Sequence, residues 1–256
     1  MTIRVGLFGF GKAGRAVATT LLNSKETWLS WVARRSSRLE HRSVPEYIGI
    51  ESEEPGTIVC VSPEKVGSLL DEQPVEVIVD FSSPHGIEAY GAAAAERGIA
   101  IVSAISSYEE HHVQLLHSLS KRIPILWSPN ITVGINFLML AAKLLRQIAP
   151  STDVEILEEH FRAKPEVSGT AKAIARELGI PSQDIKSIRA GGIIGRHEIL
   201  FGFPYQTVRL IHESISREAF GNGAIFAVKQ LMGKQAGLYA MEDLLMPFLG
   251  VQQQLG

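Results

Sequence analysis

Cysteine is nearly absent from this 256-residue chain, and the single one, Cys60, cannot close an internal disulfide. Its setting, Ile58-Val59-Cys60-Val61, reads as a strand, so it is expected as a small buried hydrophobe. With no disulfide framework the chain must stand on its own core, for which its length suffices. Long apolar runs are missing as well: no stretch approaches the roughly 20 apolar residues of a membrane span. Met1-Thr2-Ile3-Arg4-Val5 runs straight into a strand pattern and lacks the basic-then-apolar layout of a secretory signal. Neither sign of charge dominates, with 25 Lys and Arg against 27 Asp and Glu. A net charge of −2 gives no field to favour nucleic acid or an anionic membrane. No internal repeat or low-complexity stretch is found. The expected compartment is the cytoplasm, with neither nucleic acid nor membrane as a partner.

What is present is alternation of strand and helix. Apolar runs at 3–8, 28–33, 58–61, 75–81, 99–102 and 123–127 read as buried parallel strands. Helical patterns at 15–22, 86–97 and 108–119 lie between them, the second stopped by Gly98. The pattern changes near Asn130. A long apolar helix at 135–148 is followed by a strand at 153–160, a helix at 168–178, strands at 185–190, 197–203 and 206–213, and a helix at 219–232. The fold class is therefore α/β. It combines an N-terminal Rossmann-type doubly wound parallel sheet with a C-terminal α+β domain for substrate binding and oligomerisation. The expected domains are 1–129 plus 237–256, with the tail returning to the first domain, and 130–236.

Gly9-Phe10-Gly11-Lys12-Ala13-Gly14 matches G-x-G-x-x-G between a strand and a helix, the context that makes it a dinucleotide fingerprint. The glycines serve a tight turn, approach of the pyrophosphate and helix–strand packing. At the end of the second strand, where an NAD enzyme places a carboxylate, the chain has Val32-Ala33-Arg34-Arg35-Ser36-Ser37-Arg38. Arg34 and Arg35 suit a 2′-phosphate, which predicts NADPH, with NADH as the alternative. The loops Asp80-Phe81, Ser103-Ala104-Ile105 and Ser128-Pro129-Asn130 follow the fourth, fifth and sixth strands. Ligands of open α/β sheets bind at such ends, so these residues are assigned to the cofactor.

The chemistry is expected at His160 and Lys164, four positions apart, followed by Ser168-Gly169-Thr170. An imidazole and an ammonium can donate and position a proton, and the hydroxyl-glycine turn opening a helix can hold a carboxylate. Arg162, Arg189 and Arg196 are secondary candidates. His111, His112 and His117 read as solvated helix residues without the partners of a metal site, and no metal is expected.

Taken in order, these stretches resemble the dihydrodipicolinate reductases of bacterial lysine and diaminopimelate synthesis. The resemblance runs from Gly9–Gly14 through Asp80–Pro84, Ser128–Asn136, Glu158–Thr170 and Gly195–Phe201 to Gly237–Leu245. It implies NADPH-dependent reduction of 4-hydroxy-tetrahydrodipicolinate, a small dicarboxylate, to tetrahydrodipicolinate. His160 and Lys164 would then handle protons, and Ser168, Gly169 and Thr170 would grip a substrate carboxylate. A homotetramer built through the second sheet is also implied.

The chain departs from the family pattern at three places. Phe161 stands where a second histidine contacts substrate, and the stretch from Lys164 to Ser168 is one residue short, without the usual Ala-Pro. Ser103-Ala104-Ile105-Ser106 replaces a Gly-Thr-Thr-Gly turn, and Phe203-Pro204-Tyr205-Gln206 replaces a Gly-Glu turn. Two alternatives follow. One is a paralogue reducing a different cyclic imine or acidic carbonyl compound. The other is a non-catalytic NADP-binding sensor, which would bind cofactor and turn nothing over.

Overall fold

Apolar runs without polar alternation are buried on both faces and pair in parallel. The computed structural model, which describes residues 2–250, follows this rule through the first half of the chain. Its strands are β1 (Ile3–Phe8), β2 (Thr27–Arg34), β3 (Thr57–Cys60), β4 (Val77–Asp80), β5 (Ala100–Ser103), β6 (Pro124–Trp127) and, from the tail, β11 (Gly237–Tyr239). They form one parallel sheet in the order β11-β6-β5-β4-β1-β2-β3. The order reverses between β1 and β4, which opens a crevice beyond their carboxyl ends. The connecting helices are α1 (Lys12–Leu22), α2 (Val44–Ile48), α3 (Pro63–Glu72), α4 (Gly86–Glu96) and α5 (Glu110–Leu119). Of these, α2 and α3 were missed in the sequence reading, and α1 starts three residues earlier than expected.

Trp31 is fully buried between sheet and helices, with its indole N–H given to the carbonyl of Gln73 at 3.0 Å. Gly6 of β1 makes room for it: a Cβ there would lie 2.2 Å from the Trp31 ring. Cys60 corrects the expectation of burial. It ends β3 half-exposed, with its thiol 3.4 Å from the carbonyl of Arg35.

The second half holds α6 (Val133–Ile148), β7 (Asp153–His160), α7 (Gly169–Leu178), β8 (Lys186–Arg189), β9 (Arg196–Phe203), β10 (Gln206–Glu213) and α8 (Glu218–Leu231), with α9 (Met241–Leu245) after β11. The second sheet has the order β10-β9-β7-β8, with β7 antiparallel to β9 and parallel to β8. Its inner face places Ile156, Ile199 and Phe201 against Ile135 and Leu138 of α6 and Ile174 and Leu178 of α7.

Packing divides the chain into two units. Among the described residues, one comprises those up to Thr132 and from Phe220 onward, the other Val133–Ala219. Most of α8 therefore belongs with the first unit, although the sequence reading placed it in the second. Close approach explains this: a Cβ on Gly221 would lie 2.3 Å from Thr20, and one on Gly223 would lie 2.0 Å from the carbonyl oxygen of Ile131. Lys229 also pairs with Glu26. Among the described residues no helix is long and apolar enough to cross a membrane.

Candidate active site

A cavity of about 370 Å³ lies in the first unit at the crevice beyond β1, β2 and β4. The glycines of the β1–α1 turn shape it in three ways. Gly9 has φ +98°, which a residue with a Cβ rarely adopts, and a Cβ there would lie 2.5 Å from the carbonyl oxygen of Phe81. At Gly11 a Cβ would meet nothing within 4 Å, so the backbone itself faces open space. Gly14 brings α1 against the turn, since a Cβ there would lie 2.1 Å from the carbonyl oxygen of Gly9. No side chain caps α1, so its first amides face the crevice uncapped.

Arg34, Arg35 and Ser36 line one end of this cavity, and Phe81, Ser82, Ser83 and His85 another wall. No carboxylate is among the described lining residues. The donor set thus fits a dinucleotide: bare backbone and a helix N-terminus for the pyrophosphate, and guanidinium groups at the ribose end. Of the residues assigned to the cofactor, Gly9, Phe10, Gly11, Arg34, Arg35 and Phe81 line the cavity; Lys12, Ala13 and Gly14 follow in the opening turn of α1.

Asp80 does not line the cavity but lies behind its wall. It is fully buried and accepts from the Ser82 amide at 2.8 Å, the Ser82 hydroxyl at 2.6 Å and the Tyr90 hydroxyl at 2.8 Å. Burial pushes its carboxyl up to about 6, against these three bonds. Ser103, Ala104 and Ile105 follow β5, and Ser128, Pro129 and Asn130 follow β6, outside the lining of this cavity. Ser103 shares a 2.8 Å hydrogen bond with the Tyr108 hydroxyl, and Ser128 donates to the Asn130 carbonyl at 2.6 Å. Ile105 is buried, and its carbonyl accepts from Trp127 Nε1 at 3.0 Å. Its side chain therefore adds no exposed apolar surface to that loop.

The second unit gathers a polar cluster at the end of β7. Strand alternation puts Glu158 and His160 on one face. Antiparallel pairing sets His197 opposite Glu158, and His212 opposite His197. Glu158 is fully buried and takes His160 Nδ1 on one carboxylate oxygen. The other oxygen accepts from Ser187 at 2.6 Å and from Arg189 at 2.6 Å. Burial raises the Glu158 carboxyl, but these donors outweigh it and hold it below its usual range. A buried carboxylate on Nδ1 fixes the hydrogen there and leaves Nε2 as an acceptor. Gly195 keeps that nitrogen accessible, since a Cβ would crowd it at 3.0 Å.

The ring of His197 stands edge-on to that of His160, with centroids 5.3 Å apart. Its Nε2 meets the Ser168 hydroxyl at 2.8 Å, and Ser168 also caps α7 by accepting from the Ala171 amide at 3.0 Å. Burial pushes the His197 imidazole down to about 4, helped by the charges of His160 and Lys164, so it is neutral at physiological pH. His160 is lowered by burial first, partly offset by Glu158, with Lys164 and Arg189 adding to the depression. The ammonium of Lys164 therefore acts on both rings.

The structure thus sets Ser168 against His197 and His197 against His160, with Lys164 near enough for its charge to act on both rings and Gly169 and Thr170 opening α7. The buried Ser168 hydroxyl also meets His197 and caps the helix. Of the secondary arginines, Arg189 is held by Glu158 and by the carbonyls of Lys164 and Glu166. Arg196 lies on the opposite sheet face, paired with Glu159 and Glu198, and Arg162 is exposed. Glu158, Ser187 and His197 were not assigned roles from sequence. Glu158 was recoverable from its i−2 position to His160 on a strand, whereas His197 and Ser187 required the register. His112 is a correction: it is fully buried, and Glu88 of α4 supplies the carboxylate that the sequence reading found lacking.

Comparison with known proteins gives one family from residue 3 to residue 245. Residues 3–131 match the profile described as dihydrodipicolinate reductase, N-terminus, and residues 132–245 that described as dihydrodipicolinate reductase, C-terminus. A 4-hydroxy-tetrahydrodipicolinate reductase of Caldanaerobacter subterraneus is 33% identical over 195 residues, covering 68% of this chain and 78% of the relative. One from Anaplasma marginale is 29% identical over 266 residues, covering 95% and 99%. Among solved structures, the dipicolinate-bound dihydrodipicolinate reductase from Paenisporosarcina sp. TG-14 superposes with a TM-score of 0.76 at 24% identity, covering 94% of this chain and 98% of the other, which bears on the fold. With both halves matched in order, the chain belongs to the dihydrodipicolinate reductase family.

Proposed function

We propose that the protein reduces 4-hydroxy-tetrahydrodipicolinate to tetrahydrodipicolinate with NADPH, in lysine and diaminopimelate synthesis. The observation that carries this reading is the cluster of Glu158, His160, Lys164 and His197 at the N-terminus of α7. Loss of the 4-hydroxyl together with a ring hydrogen, as water, forms the conjugated imine, and bound NADPH would supply the hydride to its C4. The protein's own residues hold the cofactor and place the proton. Gly9, Gly11 and the first amides of α1 take the pyrophosphate, and Arg34 and Arg35 take the 2′-phosphate. Hydride addition to a conjugated imine builds negative charge, which a positioned acid must quench. Lys164 donates that proton. His160, with Nδ1 held by Glu158 and Nε2 left to accept, positions the ammonium. The opening turn of α7 at Gly169 and Thr170 takes a substrate carboxylate, and Ser168 holds that turn in place through its cap.

Assembly into a homotetramer through the second sheet is part of the same proposal. The outer face of that sheet leaves Ile188 and Ile211 about half exposed, at 45% and 51%. Phe161 is 43% exposed and makes the specific case for the alternative of another cyclic imine, because it offers a bulky apolar group beside His160. The test is NADPH oxidation by purified protein, with substrate made in the cuvette from pyruvate and aspartate semialdehyde by a synthase. Rapid turnover is expected. Tight NADPH binding without turnover would overturn the substrate assignment and direct the search to other cyclic imines. Failure to bind NADPH at all would overturn the cofactor assignment.

A further inference from the structure

Beside the nucleotide cavity, on α4 and α5, three histidine side chains of the first unit converge on one carboxylate. Glu88 and His85 are three residues apart at the start of α4, so they share a helix face. Glu88 Oε2 lies 3.1 Å from His85 Nδ1. Its Oε1 lies 3.2 Å from His111 Nε2 and 3.4 Å from His112 Nε2, both on α5. One ligand atom from each of His85, Glu88 and His112 can be chosen so that all lie within 4.8 Å of one another.

His112 makes this more than a surface ion-pair cluster. Its ring is fully buried, wedged among Tyr108, His85 and His111, with centroids 5.5, 5.5 and 3.8 Å away. Its Nε2 is buried and has no hydrogen-bond partner, because Glu88 lies out of line for one. A buried polar atom without a partner is costly and calls for an explanation, such as an ion. The other two groups are exposed, His85 at 65% and Glu88 at 42% of their side chains, so solvent reaches the cluster.

We propose that His85, Glu88 and His112 bind a divalent transition-metal ion, with Zn²⁺ the best match. Two imidazoles and one carboxylate are the donor set of open three-ligand zinc sites, in which water takes the fourth position. Ligand atoms about 2.0–2.2 Å from a tetrahedral zinc lie about 3.3 Å from one another. The separations of 3.1 Å from Glu88 Oε2 to His85 and 3.4 Å from Oε1 to His112 are near this value but start from different carboxylate oxygens, so a turn of the exposed Glu88 and His85 side chains brings one donor atom of each residue from within 4.8 Å to that spacing. His112 Nδ1 accepts the Glu109 amide at 3.3 Å, so the resting ring keeps its hydrogen on Nε2. Coordination moves that hydrogen to Nδ1 at the expense of this one long bond. Because His85 also lines the nucleotide cavity beside Ser82, Ser83 and Gly86, the ion would restrain the cavity wall.

The test is calorimetric titration of the full-length protein with Zn²⁺, repeated with Co²⁺ to read ligand-field absorption. One ion per chain is expected at micromolar affinity or tighter, with a Co²⁺ spectrum typical of four- or five-coordinate nitrogen and oxygen ligands. His85→Asn and Glu88→Gln change exposed side chains, so the fold is kept, and each should weaken binding at least tenfold. His112→Gln should abolish it. Absence of binding, or binding unchanged in both His85→Asn and Glu88→Gln, would overturn the assignment; the latter would place the ion elsewhere, such as at His160, His197 and His212.

Discussion

Replacing Asp80 by Asn should unmask a stability change that the wild-type pH profile hides. The Asp80 carboxyl is buried and raised from 3.8 to about 6. A carboxyl raised on folding lends stability that is fully present below its unfolded value and is lost as pH rises through its folded value. The shift of about two units corresponds to about 3 kcal/mol lost between pH 4 and pH 7. His197 works the other way, lowered from 6.5 to about 4. Its contribution is present above pH 6.5 and falls away as pH drops toward 4, again by about 3 kcal/mol. The two nearly cancel over the same window in any transition that unfolds the whole chain. Asn keeps the shape of Asp and an oxygen for the Ser82 amide, while its NH₂ faces a Tyr90 hydroxyl that can turn to accept. Asp80→Asn should therefore gain about 3 kcal/mol over wild type as pH rises from 4 to 7.5, with little difference at the acid end. Urea unfolding of both proteins across this range, followed by fluorescence of the buried Trp31, measures the difference directly. A difference that stays flat with pH would refute the reasoning, because it would mean that burial does not raise this carboxyl.

Four further outcomes follow from the same geometry. Glu158→Gln removes the buried charge holding His160 and Arg189; it should lower kcat more than it raises KM, move the acid limb of the pH–rate profile, and cost about 3 kcal/mol in unfolding experiments. Unchanged kcat and pH profile would remove Glu158 from the positioning of His160. Arg34→Asp should shift the NADPH-to-NADH ratio of kcat/KM at least tenfold toward NADH, and an unchanged ratio would sink the 2′-phosphate assignment. Lys164→Ala should cut kcat with NADPH affinity unaltered, whereas wild-type turnover would exclude it as the acid. Gly6→Ala forces a Cβ into the Trp31 ring and should lower stability by about 1–3 kcal/mol, read as a drop in Tm.

The parallel sheet was legible because buried strands are written as apolar runs such as Val77-Ile78-Val79, without the polar alternation of a half-exposed strand. The nucleotide crevice was legible because a glycine is demanded wherever backbone must turn or be approached, as at Gly9 and Gly11. Helix α3 was missed although Ser62-Pro63 marks its start, because only Val66, Leu69 and Leu70 are buried and its other positions read as polar loop. Burial of Cys60 was overestimated since β3 is the last strand of the sheet and Cys60 ends it.

Sequence alone determined the fold class, the dinucleotide turn and the short chain segment that carries His160, Lys164 and Ser168. Those depend on local spacing, and spacing is what a sequence records. Tertiary structure decided which groups act on them. His197 reaches Ser168 through antiparallel register, Ser187 and Arg189 reach Glu158 from β8, and His112 meets Glu88 because α4 and α5 pack side by side. Each of these contacts joins residues 24 or more positions apart, and no periodicity within one element could place them. The same holds for the lowered His197 and the raised Asp80: both shifts come from burial, which only the packed chain creates.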